Sequence, residues 1–111
     1  MNSTRRKQLE GIQEKIKGFI SNMEDLKTEL EDVQAEIEEE QEDEENKANE
    51  EEERFPGSMR AEQMQEAADY MASAKDAVGN AVDSIDNCIC ELESLFDEAI
   101  DNLQSAIDIK H

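Results

Sequence analysis

The chain has 111 residues, enough for one domain, and its acidic residues outnumber its basic residues by 31 to 11. The formal net charge of −20 argues against unaided binding to nucleic acid or to an anionic membrane, since both would repel the chain, and it favours a cationic partner. No apolar run approaches the roughly 18 residues needed to cross a bilayer.

The first half of the chain carries a coiled-coil pattern. From Leu9 to Ile37, apolar residues recur at alternating spacings of three and four over four heptads. The predicted seam consists of Leu9, Ile12, Ile16, Phe19, Met23, Leu26, Leu30, Val33 and Ile37. The pattern predicts a helix over residues 4–53 that needs a partner along this seam and is capped at its start by Ser3 or Thr4.

Two glycines, Gly11 and Gly18, lie on one face of this helix beside the seam. One interpretation is that they are weak points, each costing about 1 kcal/mol against alanine. The other is that their small size allows another helix to approach closely.

The apolar pattern stops after Ile37, and residues 38–53 contain eleven acidic residues and a single lysine. One interpretation is a solvated helical extension, which can fray because like charges four residues apart destabilise a helix, and another is a disordered tail. The third is an anionic surface for a basic partner. The candidate residues of that surface are Glu38, Glu39, Glu40, Glu42, Asp43, Glu44 and Glu45.

The only proline of the chain stands in the segment Phe55-Pro56-Gly57-Ser58, between two helical patterns of nearly equal length. Proline cannot continue a helix, and glycine accepts the positive φ that a chain reversal often needs. Ser58 is suited to cap the next helix. The segment therefore predicts a turn over residues 54–58 and a second helix over residues 59–109.

The second helix carries two adjacent apolar stripes. The first consists of Met64, Ala67, Met71, Ala74, Val78, Ala81, Ile85, Cys88, Leu92, Leu95 and Ala99. The second consists of Ala68, Val82, Ile89, Phe96, Ile100, Leu103 and Ile107. Together the stripes are wider than a two-helix seam requires, so we expect a second neighbour. The candidate dimer or partner-binding face is Val82, Ile89, Phe96, Ile100 and Leu103.

These elements predict an all-α fold: one long antiparallel helical hairpin over residues 1–111, a coiled coil in which facing residue numbers sum to about 112. This register sets Phe19 near Leu92 and Glu93, and it brings the basic start of the chain to Asp101 and Asp108. Two helices alone bury little surface. We therefore expect a homodimer that forms a four-helix bundle, or else a lone hairpin whose exposed stripe receives another protein.

The sequence contains no recognisable catalytic, cofactor or metal site. Cys88 and Cys90 point about 200° apart on a helix, and only His111 could join them on zinc. We expect Cys88 in the core with Cys90 beside it, and an interchain disulfide is the alternative. The acidic residues between Asp83 and Glu93 lack the alternation and the glycine of a calcium loop. No enzyme activity and no cofactor are expected, and His111 is interpreted as a purification-tag remnant.

The location predicted from the sequence is a cytoplasm. The N-terminus is basic, but it leads into an amphipathic helix instead of the apolar core of a signal peptide. The two cysteines fit a reducing compartment.

The order of features along the chain resembles a group of short acidic proteins encoded by tailed bacteriophages and prophages. The resemblance rests on four stretches: Ser3-Thr4-Arg5-Arg6-Lys7, the EEEQE run at Glu38–Glu42, Arg60-Ala61-Glu62, and Val82-Asp83-Ser84-Ile85-Asp86. It implies a helical hairpin and a small accessory protein that acts on a host component in the host cytoplasm. It implies no general activity.

Two functions are predicted from these features. The first is an inhibitor, with an anti-defence role as one form, whose carboxylates mimic nucleic acid and occupy a basic groove of a host protein. The second is a coiled-coil assembly or adaptor module that binds through an apolar helix face. Salt distinguishes them, because screening weakens charge capture and leaves apolar docking intact.

Overall fold

The computed structural model describes residues 2–109, which form two α-helices joined by a short turn. Helix α1 spans Ser3–Arg54, and helix α2 spans Met59–Asp108. Both predicted helices are confirmed with their ends within one residue, and the fold is the predicted all-α helical hairpin. The interpretation of His111 lies outside the described residues.

Side-chain oxygens cap the start of each helix. At α1 the backbone amide of Arg5 donates to Asn2 Oδ1 at 2.8 Å, so the cap is Asn2 and neither of the two residues predicted for it. At α2 the amide of Ala61 donates to Ser58 Oγ at 3.2 Å, which confirms the predicted cap. Each bond satisfies an amide that the first helical turn leaves without a backbone partner.

The turn has the geometry that its residues predict. The amide of Ser58 donates to the carbonyl of Phe55 at 2.9 Å. Between them Pro56 supplies a fixed φ and Gly57 has a φ of +79°, as in a type II turn. The amide of Gly57 also donates to the carboxylate of Glu52 at 2.9 Å, which ties the turn to the end of α1.

The chain forms two compact units. We call residues 2–27 and 84–109 the terminal unit, and residues 28–83 the turn unit. The terminal unit contains 11 acidic and 6 basic residues, a formal charge of −5. The turn unit contains 20 acidic and 4 basic residues, a formal charge of −16. Most of the negative charge therefore belongs to the turn unit.

Polar contacts set the antiparallel register of the terminal unit. Gln13 Nε2 donates to the carbonyl of Ile100 at 3.1 Å and to Gln104 Oε1 at 3.3 Å. Lys27 Nζ lies 2.9 Å from Asp86 Oδ1. The residue numbers sum to 113 for Gln13 with Ile100 and for Lys27 with Asp86, one more than predicted. Gln13 is only 7% exposed, and its two acceptors compensate for the burial of its amide.

Two further contacts refine the predicted register. The ring of Phe19 meets that of Phe96, with centroids 6.3 Å apart, about one helical turn beyond the predicted neighbours. Arg6 Nη2 donates to the carbonyl of Ile109 at 3.5 Å, so this arginine binds a backbone oxygen and not the carboxylates predicted for the basic start.

The turn unit has a core of small side chains. Ala48, Ala61 and Ala68 are 3%, 4% and 1% exposed. Because alanine has no side chain beyond Cβ, the two helices can lie close together there, as the alanine-rich start of α2 predicts. The only large apolar side chain among the buried residues described for this unit is Val82, at 9% exposure.

A side chain of α1 occupies the space beside Gly79, a glycine that the sequence did not single out for such a contact. A Cβ built on Gly79 would lie 2.8 Å from Nε2 of Gln34, so the glutamine amide occupies the space of the missing side chain. At Gly11 and Gly18 no atom lies within 4 Å of such a Cβ. Within the hairpin these two glycines are therefore not sites of helix approach.

The seam of α1 is rotated by about 50° about the helix axis from the predicted seam. Every second residue of the observed seam comes one position later in the chain than the predicted one, so that Gln13 replaces Ile12 and Ile20 replaces Phe19. The buried and half-buried seam residues are Leu9, Gln13, Ile16, Ile20, Met23, Lys27, Leu30, Gln34 and Ile37. Four predicted seam residues lie outside: Ile12, Phe19, Leu26 and Val33 are 43%, 53%, 49% and 41% exposed.

Helix α2 explains this rotation. Its first predicted stripe includes Ala81, Cys88 and Leu95, all of which are exposed, whereas Val82 and Ile89 of the second stripe are buried. Burial of a large aliphatic side chain contributes about 1.5–3 kcal/mol, so the seam of α2 takes in the bulkier second stripe. It keeps part of the first stripe as well, since Val78, Ile85 and Leu92 are half-buried. Helix α1 then turns toward the second stripe, which brings polar side chains into its seam.

Candidate interaction surfaces

The acidic segment of residues 38–53 is helical throughout, since α1 continues to Arg54. It is therefore not a disordered tail, whereas a solvated helical extension and an anionic surface both agree with a continuous helix. Five of the seven candidate residues are exposed: Glu38, Glu39, Glu40, Glu42 and Asp43. The other two, Glu44 and Glu45, are half-buried.

Local pairs offset part of the repulsion in this segment. Lys47 Nζ lies 3.0 Å from Asp43 Oδ2, one helical turn away, and Gln41 Nε2 donates to Glu45 Oε2 at 3.2 Å. The hydrogen bond and charge of Asp43 raise the pKa of Lys47, with smaller contributions from the charges of nearby glutamates. Lys47 therefore stays protonated while it neutralises its neighbours.

The heptad of α1 continues through the acidic segment. The residues turned toward α2 are Gln41, Glu44, Ala48 and Glu51. When the spacing predicted for the first seam is continued beyond Ile37, it places Glu40 and Lys47 toward α2 and no apolar residue, whereas the structure buries Ala48 there. This alanine, 3% exposed, anchors the acidic segment against α2.

The charge density of the segment approaches that of nucleic acid. Sixteen helical residues rise about 24 Å, and residues 38–53 carry a net charge of −10. The spacing is about one charge per 2.4 Å, between the roughly 1.7 Å of duplex DNA with both strands counted and the roughly 3.4 Å of either strand within the duplex.

A second surface lies in the terminal unit, where apolar side chains remain uncovered. We call the residues of this surface the apolar ribbon: Ile12, Phe19 and Leu26 of α1, with Cys88 and Leu95 of α2. On each helix these residues occupy the heptad position next to the seam. In an antiparallel pair of helices, equivalent heptad positions lie on the same side of the seam, so the exposed residues of α1 and α2 form one surface. Leu95 is 58% exposed and Phe19 is 53% exposed.

Charged residues flank the ribbon on both sides. On α1, Lys15 comes three residues after Ile12 and lies farther from the seam than the ribbon. On α2, Glu91 and Glu98 come three residues after Cys88 and Leu95 and lie at the equivalent heptad position. All three are exposed. The ribbon therefore has a basic residue along one edge and acidic residues along the other.

The predicted partner-binding face of α2 needs a correction. Val82 and Ile89 are 9% and 5% exposed, so they are not available to an outside partner in this hairpin. Phe96, Ile100 and Leu103 are half-buried. This stripe lines the seam of the hairpin itself, because its side chains are the bulkiest on the helix. The exposed residues of the stripe beside it, which the sequence predicted to be the seam, are Ala74, Ala81, Cys88 and Leu95, whereas the other residues of that stripe are half-buried.

Both cysteines are free thiols on the surface. The predicted core position of Cys88 is wrong, because the rotation of the seam turns it outward with the ribbon. Among residues 2–109, no group of three or more His, Cys, Asp or Glu side chains is arranged to hold a metal ion.

The terminal unit also has a shallow open groove of about 250 Å³. It is lined by Ile16, Lys17, Ile20, Glu93, Phe96, Asp97 and Ile100. Its floor is apolar and its rim carries both signs of charge. No serine, cysteine or histidine lines it, so it offers no nucleophile of the Ser or Cys type.

Neither α1 nor α2, within the described residues, has a stretch apolar enough to cross a membrane. No family model, curated protein or solved structure matches this chain.

Proposed function

We propose that the protein binds and inhibits a basic, nucleic-acid-binding protein through the acidic helical surface of the turn unit. The observation that carries this proposal is the unbroken helix of residues 38–53 with exposed carboxylates. A helix holds these charges at fixed spacing, and their density falls within the range of nucleic acids. A groove lined by Lys and Arg side chains that accepts phosphates would accept this surface as well.

The target that we propose is a host protein in the host cytoplasm, with defence proteins as one class. This part of the proposal rests on the resemblance to short acidic phage-encoded proteins. The role is one of binding, without catalysis or cofactor.

The experiment uses the immobilised full-length protein and a bacterial lysate at about 50 mM salt, where charge attraction reaches farthest. Bound proteins are eluted either with excess duplex DNA or with salt raised to about 500 mM. We expect nucleic-acid-binding proteins to be retained and to be released by both treatments, because DNA and the acidic helix compete for one groove.

A matched pair of variants tests the site. One neutralises Glu38, Glu39, Glu42 and Asp43 to the corresponding amides, and the other neutralises Glu10, Glu91, Asp97 and Asp101 of the terminal unit. All eight residues are exposed, and the two variants have the same net charge. The first should weaken capture by at least about tenfold, and the second by much less. Equal losses would reject the acidic helix as the site, and retention that DNA does not displace would reject mimicry.

The second candidate function is a coiled-coil assembly or adaptor module. The observation that favours it is the apolar ribbon of the terminal unit, whose large side chains remain 43–58% exposed. Binding there would resist salt, unlike binding to the acidic helix.

A further inference from the structure

We infer that the apolar ribbon is the contact surface for a second copy of this chain. The ribbon comprises Ile12, Phe19, Leu26, Cys88 and Leu95, and it does not include the face that the sequence predicted for dimerisation. This inference is independent of the proposed function, which concerns the turn unit.

The first argument is the thinness of the core. Among residues 2–109 the buried apolar residues of the terminal unit are Ile89 and Ile107 alone. The chain exposes 8062 Å², whereas a compact monomer of 12.6 kDa exposes about 6,200 Å². The excess of about 1,900 Å² exceeds the roughly 800 Å² that each partner contributes to a stable interface. A second copy would cover part of that excess.

The second argument is the distribution of charge. Two copies of a chain with a charge of −20 repel each other, and the repulsion is weakest where the charge is least. The terminal unit carries −5 and the turn unit −16, and the ribbon lies in the terminal unit. A homotypic contact is therefore least opposed on the unit that exposes the apolar side chains.

The third argument is the self-complementary rim. If α1 of one copy lies against α2 of the other, Lys15 of each copy approaches Glu98 of its mate. Their numbers sum to 113, which is the register observed between α1 and α2 within the hairpin. The alternative, with like helices in contact, would bring Glu91 and Glu98 of both copies together. The rim thus favours contact between unlike helices.

The main test is the mass of the full-length protein by sedimentation equilibrium, under reducing conditions that prevent a Cys88 disulfide. Phe19→Glu places a charge at the centre of the ribbon, and Ser21→Glu adds the same charge at an exposed position off the ribbon. We expect wild type and Ser21→Glu to be dimers at micromolar concentration. Phe19→Glu should raise the dimer dissociation constant by about a hundredfold or more.

A charge swap at the rim tests the same contact without Phe19, so the inference can be judged even if Phe19→Glu unfolds the protein. Lys15→Glu should weaken the dimer by about threefold or more, and adding Glu98→Lys should restore it, because the pair is re-formed with reversed signs. Far-ultraviolet circular dichroism should show unchanged helicity for these rim variants. Absence of coupling between the two substitutions would overturn the contact between unlike helices.

Salt separates this inference from the proposed function. Raising the salt should tighten the dimer, since it screens the repulsion between two −20 chains, but it should weaken capture by the acidic helix. A wild-type monomer at about 100 µM, well above the dissociation constants of typical specific dimers, would overturn the inference. So would equal masses for the Phe19 and Ser21 variants. If the protein is a monomer and binds a different protein through Phe19, the ribbon is a binding site for that protein, and the inference of a homodimer is overturned as well.

Discussion

The terminal unit and the turn unit are built from the same two helices and the same heptad repeat, but they distribute apolar and charged side chains in opposite ways. The terminal unit carries −5, packs Ile, Leu and Phe side chains, and still exposes the apolar ribbon. The turn unit carries −16, and its seam includes alanine, glutamine and glutamate beside the larger apolar residues Leu30, Ile37 and Val82. The same heptad repeat can therefore expose apolar side chains in one unit and a high density of negative charge in the other.

The difference follows from what each seam can bury. Large aliphatic side chains contribute about 1.5–3 kcal/mol each when fully buried, whereas alanine contributes much less. The turn unit compensates with local devices: the capping bond of Ser58, the Glu52 bond to the turn, and the pairing of Lys47 with Asp43. We expect its stability to depend more on these bonds and less on packing.

The largest effect is expected in the core of the terminal unit. Ile89 is 5% exposed, and Ile89→Ala should lower the free energy of unfolding by about 2–4 kcal/mol, because it removes buried methyl groups and leaves a cavity. Ile109→Ala is the matched control, since Ile109 is 54% exposed beyond the end of α2. Urea denaturation measures both. A similar cost at the two positions would mean that packing does not stabilise the terminal unit.

An intermediate effect is expected when the turn unit is made to resemble the terminal unit. Glu44 is half-buried at the seam, so Glu44→Leu should stabilise the protein by about 1–2 kcal/mol through added apolar burial and reduced repulsion. Glu42→Leu removes the same charge at an exposed position and isolates the electrostatic part. Hydrogen exchange should show slower amide exchange in residues 28–83 for the Glu44 variant. No difference between the two variants would show that the seam of the turn unit does not bury this position.

The smallest effect is expected at two helical glycines. Gly18→Ala in the terminal unit should stabilise α1 by about 1 kcal/mol, because alanine has the higher helix propensity and no atom lies within 4 Å of the new Cβ. Gly79→Ala in the turn unit should gain less, since its Cβ would meet the Gln34 amide at 2.8 Å and force that side chain to move. Thermal unfolding of the two variants measures the difference. A larger gain at Gly79 would contradict the contact between Gln34 and this position.

Much of the architecture could be predicted because its causes are local. The heptad spacing defines two long helices, and Pro56 and Gly57 define the reversal between them. Once the arms are of equal length, the antiparallel register follows to within one residue at Gln13 and Lys27. The concentration of acidic residues in the segment after Ile37 is likewise a property of the sequence.

The candidate surfaces were predicted less well, for a reason that α1 illustrates. Its apolar residues lie at Ile12 and Leu26, and the sequence gave no sign that the polar residues after them, Gln13 and Lys27, face inward. The inward position of Gln13 depends on a carbonyl and an amide of α2, which lie more than eighty residues away along the chain. The sequence around Gln13 gives no indication of partners so far along the chain. The exposure of Cys88 follows from the same rotation of the seam.

The sequence was thus sufficient for the helices and their capped turn, which depend on neighbours a few residues apart. It was also sufficient for the approximate register, which follows from arms of equal length, and for the separation of charge, which is a matter of composition. The choice between two adjacent faces of each helix required the packed hairpin. The two faces differ by about 50° of rotation, and the energy that separates them is the difference in burial summed over both helices. That difference exists only when the helices are together, and it decides which apolar residues form the seam and which remain exposed as the ribbon.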